Sequence, residues 1–265
     1  MVSTRQQSSE KERAARDVFA RLAAEADTFE AYAHPHAARV AAIAEALAAR
    51  FGLGREDRAN LHIAALAHDL GELAMRRDYI RREGPLTEEE RLDLARHPVI
   101  GEQEAARAGA DRGSQLLVRW HHEWWDGTGY PDALRREQIP LPARILRAAD
   151  SYAALTDDRP SRRALTEEAA RKHLVEWAGL EFDPRVVRAL LSLADGPELR
   201  SYARRGEAGG REDGARDLEV ERAGIDRAET DLPLDERAQA VRAEGAGAAV
   251  GGPAEPGVDE WGAPK

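Results

Sequence analysis

The chain has 265 residues, a formal net charge of −10 at neutral pH and no cysteine. That length suits one good-sized domain or two small ones, and the acidic balance argues against a broad basic nucleic-acid surface, so no DNA partner is expected. The lack of cysteine excludes disulfides, cysteine-based zinc sites and thiol catalysis, and it suits a reducing cytoplasm. A small anionic substrate remains open, because a local metal or arginine cluster overrides global charge. No apolar region follows the polar start, and no run of about 18 apolar residues occurs, so neither a signal peptide nor membrane insertion is expected. Richness in Ala, Leu, Arg and Glu favours helix.

In chain order, residues 10–33 read as one helix, with Val18, Phe19, Leu22 and Phe29 as a rough apolar stripe. His34-Pro35-His36 interrupts it, since a residue before proline is pushed out of the helical region. Residues 36–51 form the next helix. Val40, Ile43, Leu47 and Phe51 share one face, and His36 lies one turn before Val40 on that face. The run 57–70 is apolar and Ala-rich and carries His68-Asp69 at its C-terminal end. A carboxylate there is unusual, because Asp is rarely fully buried unless paired or bound to metal. Thr87 followed by Glu90 is a capping box that starts a helix running to His97-Pro98. Helices over 100–108 and 114–122 follow, the second ending in His121-His122. The stretch from Glu123 to Pro131, with two glycines, Asp126 and a closing proline, reads as an ordered loop. A helix over 143–155 contains Asp150 among apolar neighbours. The last helices cover 166–177 and 184–193, with Asp183-Pro184 as N-cap and first-turn proline. Residues 201–265 carry 9 basic and 15 acidic residues and no sustained apolar stripe, which reads as a disordered acidic tail.

The imidazoles and carboxylates in apolar helical positions are His36, His68, Asp69, His97, His121, His122 and Asp150. Most lie at helix starts or ends, where side chains converge on one cavity. Histidine with carboxylate, and no thiolate, is ligand chemistry for Mn, Fe, Ni or Zn. Seven donors exceed one tetrahedral zinc and suit two metals that share a bridging carboxylate. Such a pair generates hydroxide and stabilises both oxygens of an in-line displacement at phosphorus.

Order and spacing of these motifs resemble a known family. The motifs are His36-Ala37-Ala38-Arg39-Val40, His68-Asp69-Leu70-Gly71, His97-Pro98, His121-His122-Glu123, Asp126-Gly127-Thr128-Gly129-Tyr130-Pro131, Ala149-Asp150-Ser151-Tyr152 and Asp158-Arg159-Pro160. They are similar to the HD-GYP family, the HD-superfamily phosphodiesterases of cyclic di-GMP, over residues 30–195. The resemblance implies an all-α HD-superfamily bundle and a centre of two or three ions, commonly iron or manganese. It also implies hydrolysis of cyclic di-GMP to pGpG and/or GMP through a metal-bridging hydroxide. Carried over, His36, His68, Asp69, His97, His121, His122 and Asp150 are the metal ligands, with Asp69 the catalytic bridge. Tyr130, in the intact Gly129-Tyr130-Pro131, is expected to face substrate rather than only to pack. Of Arg159, Arg162 and Arg163, which either clamp substrate phosphates or form a solvated basic turn, Arg159 is the favoured clamp. Trp124 and Trp125 either stack on guanine or fill the core, and the core role falls to Trp125.

Two departures from the family pattern stand out. Glu72 occupies the place where the family's HD motif continues to Lys. It either adds a carboxylate ligand one turn from His68 or points outward into a salt bridge. Tyr32 stands where members with three ions carry Glu, so two ions, Fe or Mn, are expected, although His34 offers a rescue of a third site. The expected division is an N-terminal helix over 1–29, the phosphohydrolase domain over 30–200 and the tail. The alternatives are an HD-type phosphohydrolase of another nucleotide and a catalytically weak HD-GYP signalling module. Beyond the cyclic dinucleotide, the expected partners are a GGDEF-type or other signalling protein, or a second copy in a homodimer. About 30 helical residues precede the motifs, so regulatory input is expected from such a partner.

Overall fold

The computed structural model describes residues 4–158 and 163–194; the expected tail over 201–265 lies outside the described residues. Among those described, the chain is all-α. Helix α1 is Thr4–Phe29, α2 His36–Arg50, α3 Arg55–Ala67, α4 Leu70–Met75 and α5 Glu88–Leu94. Then come α6 His97–Arg107, α7 Arg112–Arg119, α8 Leu141–Leu155, α9 Glu167–Glu176 and α10 Pro184–Ala194. No helix among them is long and apolar enough to cross a membrane.

The centre of the bundle is α2, α3 and α8, packed through alanine faces. Ala44 and Ala48 on α2, Ala64, Ala65 and Ala67 on α3, and Ala148, Ala149 and Ala153 on α8 have no exposed surface. Small side chains let the axes approach closely. Larger residues at the rim, including Phe19, Ile43, Leu47, Leu61, Ile145, Leu146 and Leu155, are fully buried, each worth about 1.5–3 kcal/mol of transfer free energy. Phe19 and Ala23 bring α1 into this core.

Helix boundaries differ from expectation where polar chemistry overrides the apolar pattern. Helix α1 ends at Phe29 rather than at residue 33. Ala31 turns left-handed (φ 61°), and the Tyr32 amide donates to the Asp27 carbonyl at 3.0 Å, which closes the helix as a left-handed cap. Asp27 then accepts the Ala37 amide at 3.2 Å, tying the end of α1 to the start of α2. The expected helix over 57–70 breaks: α3 stops at Ala67, and α4 starts at Leu70 with Asp69 outside regular helix (φ −96°, ψ 10°). Helix α6 starts at His97, three residues earlier than expected, with Pro98 in its first turn, where a missing N–H costs nothing. Helix α7 ends at Arg119, which leaves both His121 and His122 in the following turn. The expected capping box is present, with Thr87 and Glu90 exchanging bonds at 3.2 and 2.9 Å. Trp125 does not take the core position expected of it. Trp124 does, at 3% exposure against the edge of Trp177, whereas Trp125 is half-buried with the Arg144 guanidinium over its face. Burial runs from His121 to Trp124 and stops there, so only the first of the two indoles lies in the core.

Helices α4 and α6 touch backbone to backbone. A Cβ on Gly71 would overlap the His97 carbonyl group, its carbon at 2.7 Å, and the Gly101 nitrogen at 2.9 Å. These atoms are main chain and have no rotamer to yield. Gly71→Ala is therefore expected to lower the stability of the metal-free protein by about 2–3 kcal/mol, read as a shifted urea midpoint with unchanged slope. By contrast Gly54 has open space around its Cβ position, so alanine there is expected to cost no more than the roughly 1 kcal/mol of a poorer N-cap for α3.

Candidate metal centre

Three of the histidines are placed by the same local device. The last carbonyls of a helix have no intrahelical partner. His68 Nδ1 pairs with the Ala65 carbonyl at 2.9 Å, His97 Nδ1 with Leu94 at 2.8 Å and His121 Nδ1 with Val118 at 2.6 Å. Each ring sits three residues beyond its acceptor, just past the end of α3, α5 and α7. Because a carbonyl only accepts, each Nδ1 carries a proton, so that in the neutral ring Nε2 is the nitrogen with the lone pair. This tautomer is the one used by histidines that ligate metal through Nε2.

The Nε2 atoms of His97 and His121 face each other at 3.2 Å. Two lone pairs at that distance repel, and a cation between them removes the repulsion. His68 Nε2 is buried without an aligned hydrogen-bond partner, although Asp69 Oδ2 stands 2.8 Å away and Asp150 Oδ1 3.6 Å away. From the start of α2, His36 Nε2 meets Asp150 Oδ1 at 3.2 Å. His36, His68 and Asp69 each place a ligand atom within 4.8 Å of the others, and so do His97, His121 and His122. The rings form a continuous row, with centroids 5.4 Å apart from His36 to His68, 5.5 Å from His68 to His121 and 5.2 Å from His121 to His97. All seven residues singled out in the sequence thus meet in one buried cluster. Hard carboxylates with borderline imidazoles, a buried His68 Nε2 without an aligned hydrogen bond and no thiolate fit divalent first-row ions.

Tyr130 lies over this cluster, its ring stacked on His122 at 4.9 Å and 11° and edge-on to His97 at 6.5 Å. Gly129 makes this possible, since a Cβ there would overlap the Glu123 carbonyl carbon at 2.8 Å. Arg159 and Arg162 lie outside the described residues; Arg163 is exposed. The position of Tyr32 is filled by its ring lying flat on His36 at 4.1 Å, and His34 is exposed. Glu72 forms a further ligand-competent group with Asp69 and His97.

Two positioning elements were not singled out in the sequence. Glu123, 2% exposed, accepts the Asp132 and Leu134 amides at 2.6 and 2.8 Å and so fixes the loop that carries Tyr130. Burial pushes its carboxyl above the ordinary range, while those amides pull it back. Arg147, buried in α8, pairs with Glu181 at 2.6 Å, donates to His122 Nδ1 at 2.8 Å and approaches Asp150 at 3.9 Å. The available signal was an arginine inside the apolar run Ile145-Leu146-Arg147-Ala148.

Burial alone would lower the pKa of His68, but the adjacent Asp69 and Asp150 carboxylates outweigh it and hold it well above the ordinary imidazole value. Burial, reinforced by His122, His97 and His68, holds His121 well below it, so that ring stays neutral. The sign for His68 follows from linkage. In the metal-free chain its pairing stabilises the fold fully below the ordinary imidazole pKa and is lost as pH rises through the raised value. The same proton competes with a metal ion. Mn(II) affinity is expected to rise from about pH 6 to about pH 8 by about tenfold per unit for each proton displaced, measured by direct titration. A flat profile would remove His68 from the ligand set.

An HD-domain family model matches residues 17–186. The chain is 37% identical over 186 residues to the cyclic di-GMP phosphodiesterase response regulator RpfG of Xanthomonas campestris pv. campestris, covering 69% of this chain and 49% of that protein. It is 32% identical over 158 residues to the 3'3'-cGAMP-specific phosphodiesterase 2 of Vibrio cholerae, covering 59% of this chain and 30% of that protein. The chain thus spans about half or less of the length of these relatives. Among solved structures, the V. cholerae cyclic GMP-AMP specific phosphodiesterase V-cGAP3 shares the fold, with a TM-score of 0.58 at 17% identity over 73% of this chain and 53% of that one. The matched region contains every described element of the histidine–aspartate cluster, and the chain belongs to the HD-domain family.

Proposed function

We propose that this chain is a metal-dependent phosphodiesterase that hydrolyses cyclic di-GMP to pGpG and/or GMP. The observation that carries the reading is the facing pair of His97 and His121 Nε2 atoms inside a buried histidine–aspartate cluster, an arrangement that calls for a cation. The relatives named as cyclic di-GMP phosphodiesterases, at 37% identity, supply the substrate class.

In this reading His36, His68, Asp69 and Asp150 would hold one ion and His97 and His121 a second, with Asp69 within reach of both. His122 would join the second by giving up the bond its Nδ1 accepts from Arg147, which otherwise leaves the ring proton on Nε2. When bound, two divalent ions, Fe or Mn, supply an activated water and neutralise charge developing at phosphorus. The chain's own groups do the positioning. The three Nδ1–H bonds to helix-end carbonyls fix the rings, which lowers the reorganisation needed at the moment of reaction. Tyr130 closes one side of the cluster and offers a ring face and a hydroxyl to the substrate. Arg159, beside Asp158 and Pro160, is the proposed phosphate clamp. No protein nucleophile is required.

A second reading, a different cyclic dinucleotide as substrate, is favoured by the relatives named as 3'3'-cGAMP-specific phosphodiesterases at 31–32% identity. One experiment addresses both. The purified chain is loaded anaerobically with Fe(II) or Mn(II), given cyclic di-GMP or 3'3'-cGAMP in parallel, and the products are resolved by chromatography. Linear dinucleotide or mononucleotide from cyclic di-GMP is expected, with Asp69→Asn lowering the rate by at least about 100-fold. Turnover of 3'3'-cGAMP alone would move the assignment to the second reading. No turnover of either under either metal would leave a binding module.

A further inference from the structure

We infer that Glu72 is a metal ligand of this centre, forming with Asp69 and His97 a carboxylate-rich subsite beside the histidine cluster. This deepens, and rests on, the reading of the cluster as a metal centre. Asp69, Glu72 and His97 each place a ligand atom within 4.8 Å of the other two. Donors bonded to one ion at about 2.0–2.3 Å stand about 3–4.5 Å apart, so small side-chain rotations close the set around an ion.

The backbone explains why these groups meet. Asp69 immediately precedes α4, and Glu72 lies in its first turn, with its amide donating to the Asp69 carbonyl at 3.0 Å. His97 is the first residue of α6. Between the two carboxylates sits Gly71, whose missing Cβ lets α4 press against the His97 main chain. From the other side Gly101 comes within the same contact, its Cβ position 3.3 Å from the Gly71 nitrogen and 3.5 Å from the His68 carbonyl oxygen. The glycine contact thus holds the first turn of α4 against the main chain of His97, the residue whose Nε2 faces His121. A glutamate there adds a second hard oxygen donor, beside Asp69, to the imidazole of His97. That change favours Mn(II) or Fe(II) over softer-ligand ions.

Mn(II) titration of the full chain, with free ion followed by electron paramagnetic resonance, tests the assignment. Glu72→Gln keeps the shape and removes the anionic donor. Its weakest bound ion is expected to dissociate about tenfold or more easily than in the wild type, and a smaller change overturns the assignment. Crystals of Mn-loaded wild-type protein, with ions located by anomalous scattering, separate a bonded carboxylate from a nearby charge. A Glu72 oxygen bonded to an ion is expected; a Glu72 turned away from every ion overturns the inference. That map also decides the matter if Glu72→Gln fails to fold. These readouts count ions, not turnover. A wild type that binds Mn(II) through Glu72 but hydrolyses nothing defeats the functional reading alone. Hydrolysis by a wild type whose Glu72 points away defeats this inference alone.

Discussion

The centre depends on one repeated interaction, an imidazole Nδ1–H donated to a carbonyl three residues earlier at the end of a helix. His68, His97 and His121 each use it, on α3, α5 and α7. The bond does two things at once. It satisfies an acceptor that the helix leaves orphaned, and it fixes ring orientation so that Nε2 is the nitrogen turned into the cluster. Three helices of different length and sequence therefore deliver the same chemical group to one cavity. The cost is borne inside the cluster, where the Nε2 atoms of His97 and His121 face each other.

Around that interaction the structure separates packing from chemistry. Alanine faces on α2, α3 and α8 bring three backbones close and put His36, His68 and Asp150 within reach of one another. The glycine contact between α4 and α6 brings in Asp69, Glu72 and His97. Buried charge is matched rather than avoided. Arg147 is offset by Glu181, and the two carboxylates of the cluster stand against His36 and His68. A buried pair of this kind is weak evidence for stability, because desolvation offsets much of the attraction. Its better-supported role here is to hold His122 and Asp150 in place.

The loop after α7 follows the same logic. Glu123 gives up its solvation to accept two amides, and Gly129 allows the chain to fold back against the His122–Trp124 backbone. Further along, Ala133 and Arg136 both adopt left-handed backbone at φ 52°, a conformation costing non-glycine residues about 1 kcal/mol or more. The loop tolerates that strain while being tied to the segment between α9 and α10, with Trp125 and Asp126 amides donating to Glu181 and Leu180 carbonyls at 3.1 and 2.8 Å.

The sequence by itself determined the helical class, most helix positions and the seven residues that meet in the cluster. Each rests on information local in the chain: apolar period, the Thr87–Glu90 capping box, and polar residues set in apolar runs. It did not place the break between Ala67 and Leu70, because the apolar pattern runs straight through and only the cluster's polar atoms make departure from helix favourable. Nor did it say which of two adjacent tryptophans faces inward, since loop backbone has no fixed period. The roles of Glu123 and Arg147 were also hidden, as their partners lie up to 34 residues away along the chain, Arg147 meeting Glu181 and His122. Glu72 shows the division most clearly. In sequence, a glutamate one turn past His68 is as compatible with solvent as with metal. Its place beside His97 was decided by the tertiary contact of α4 on α6, where two glycines remove the atoms that would keep the helices apart.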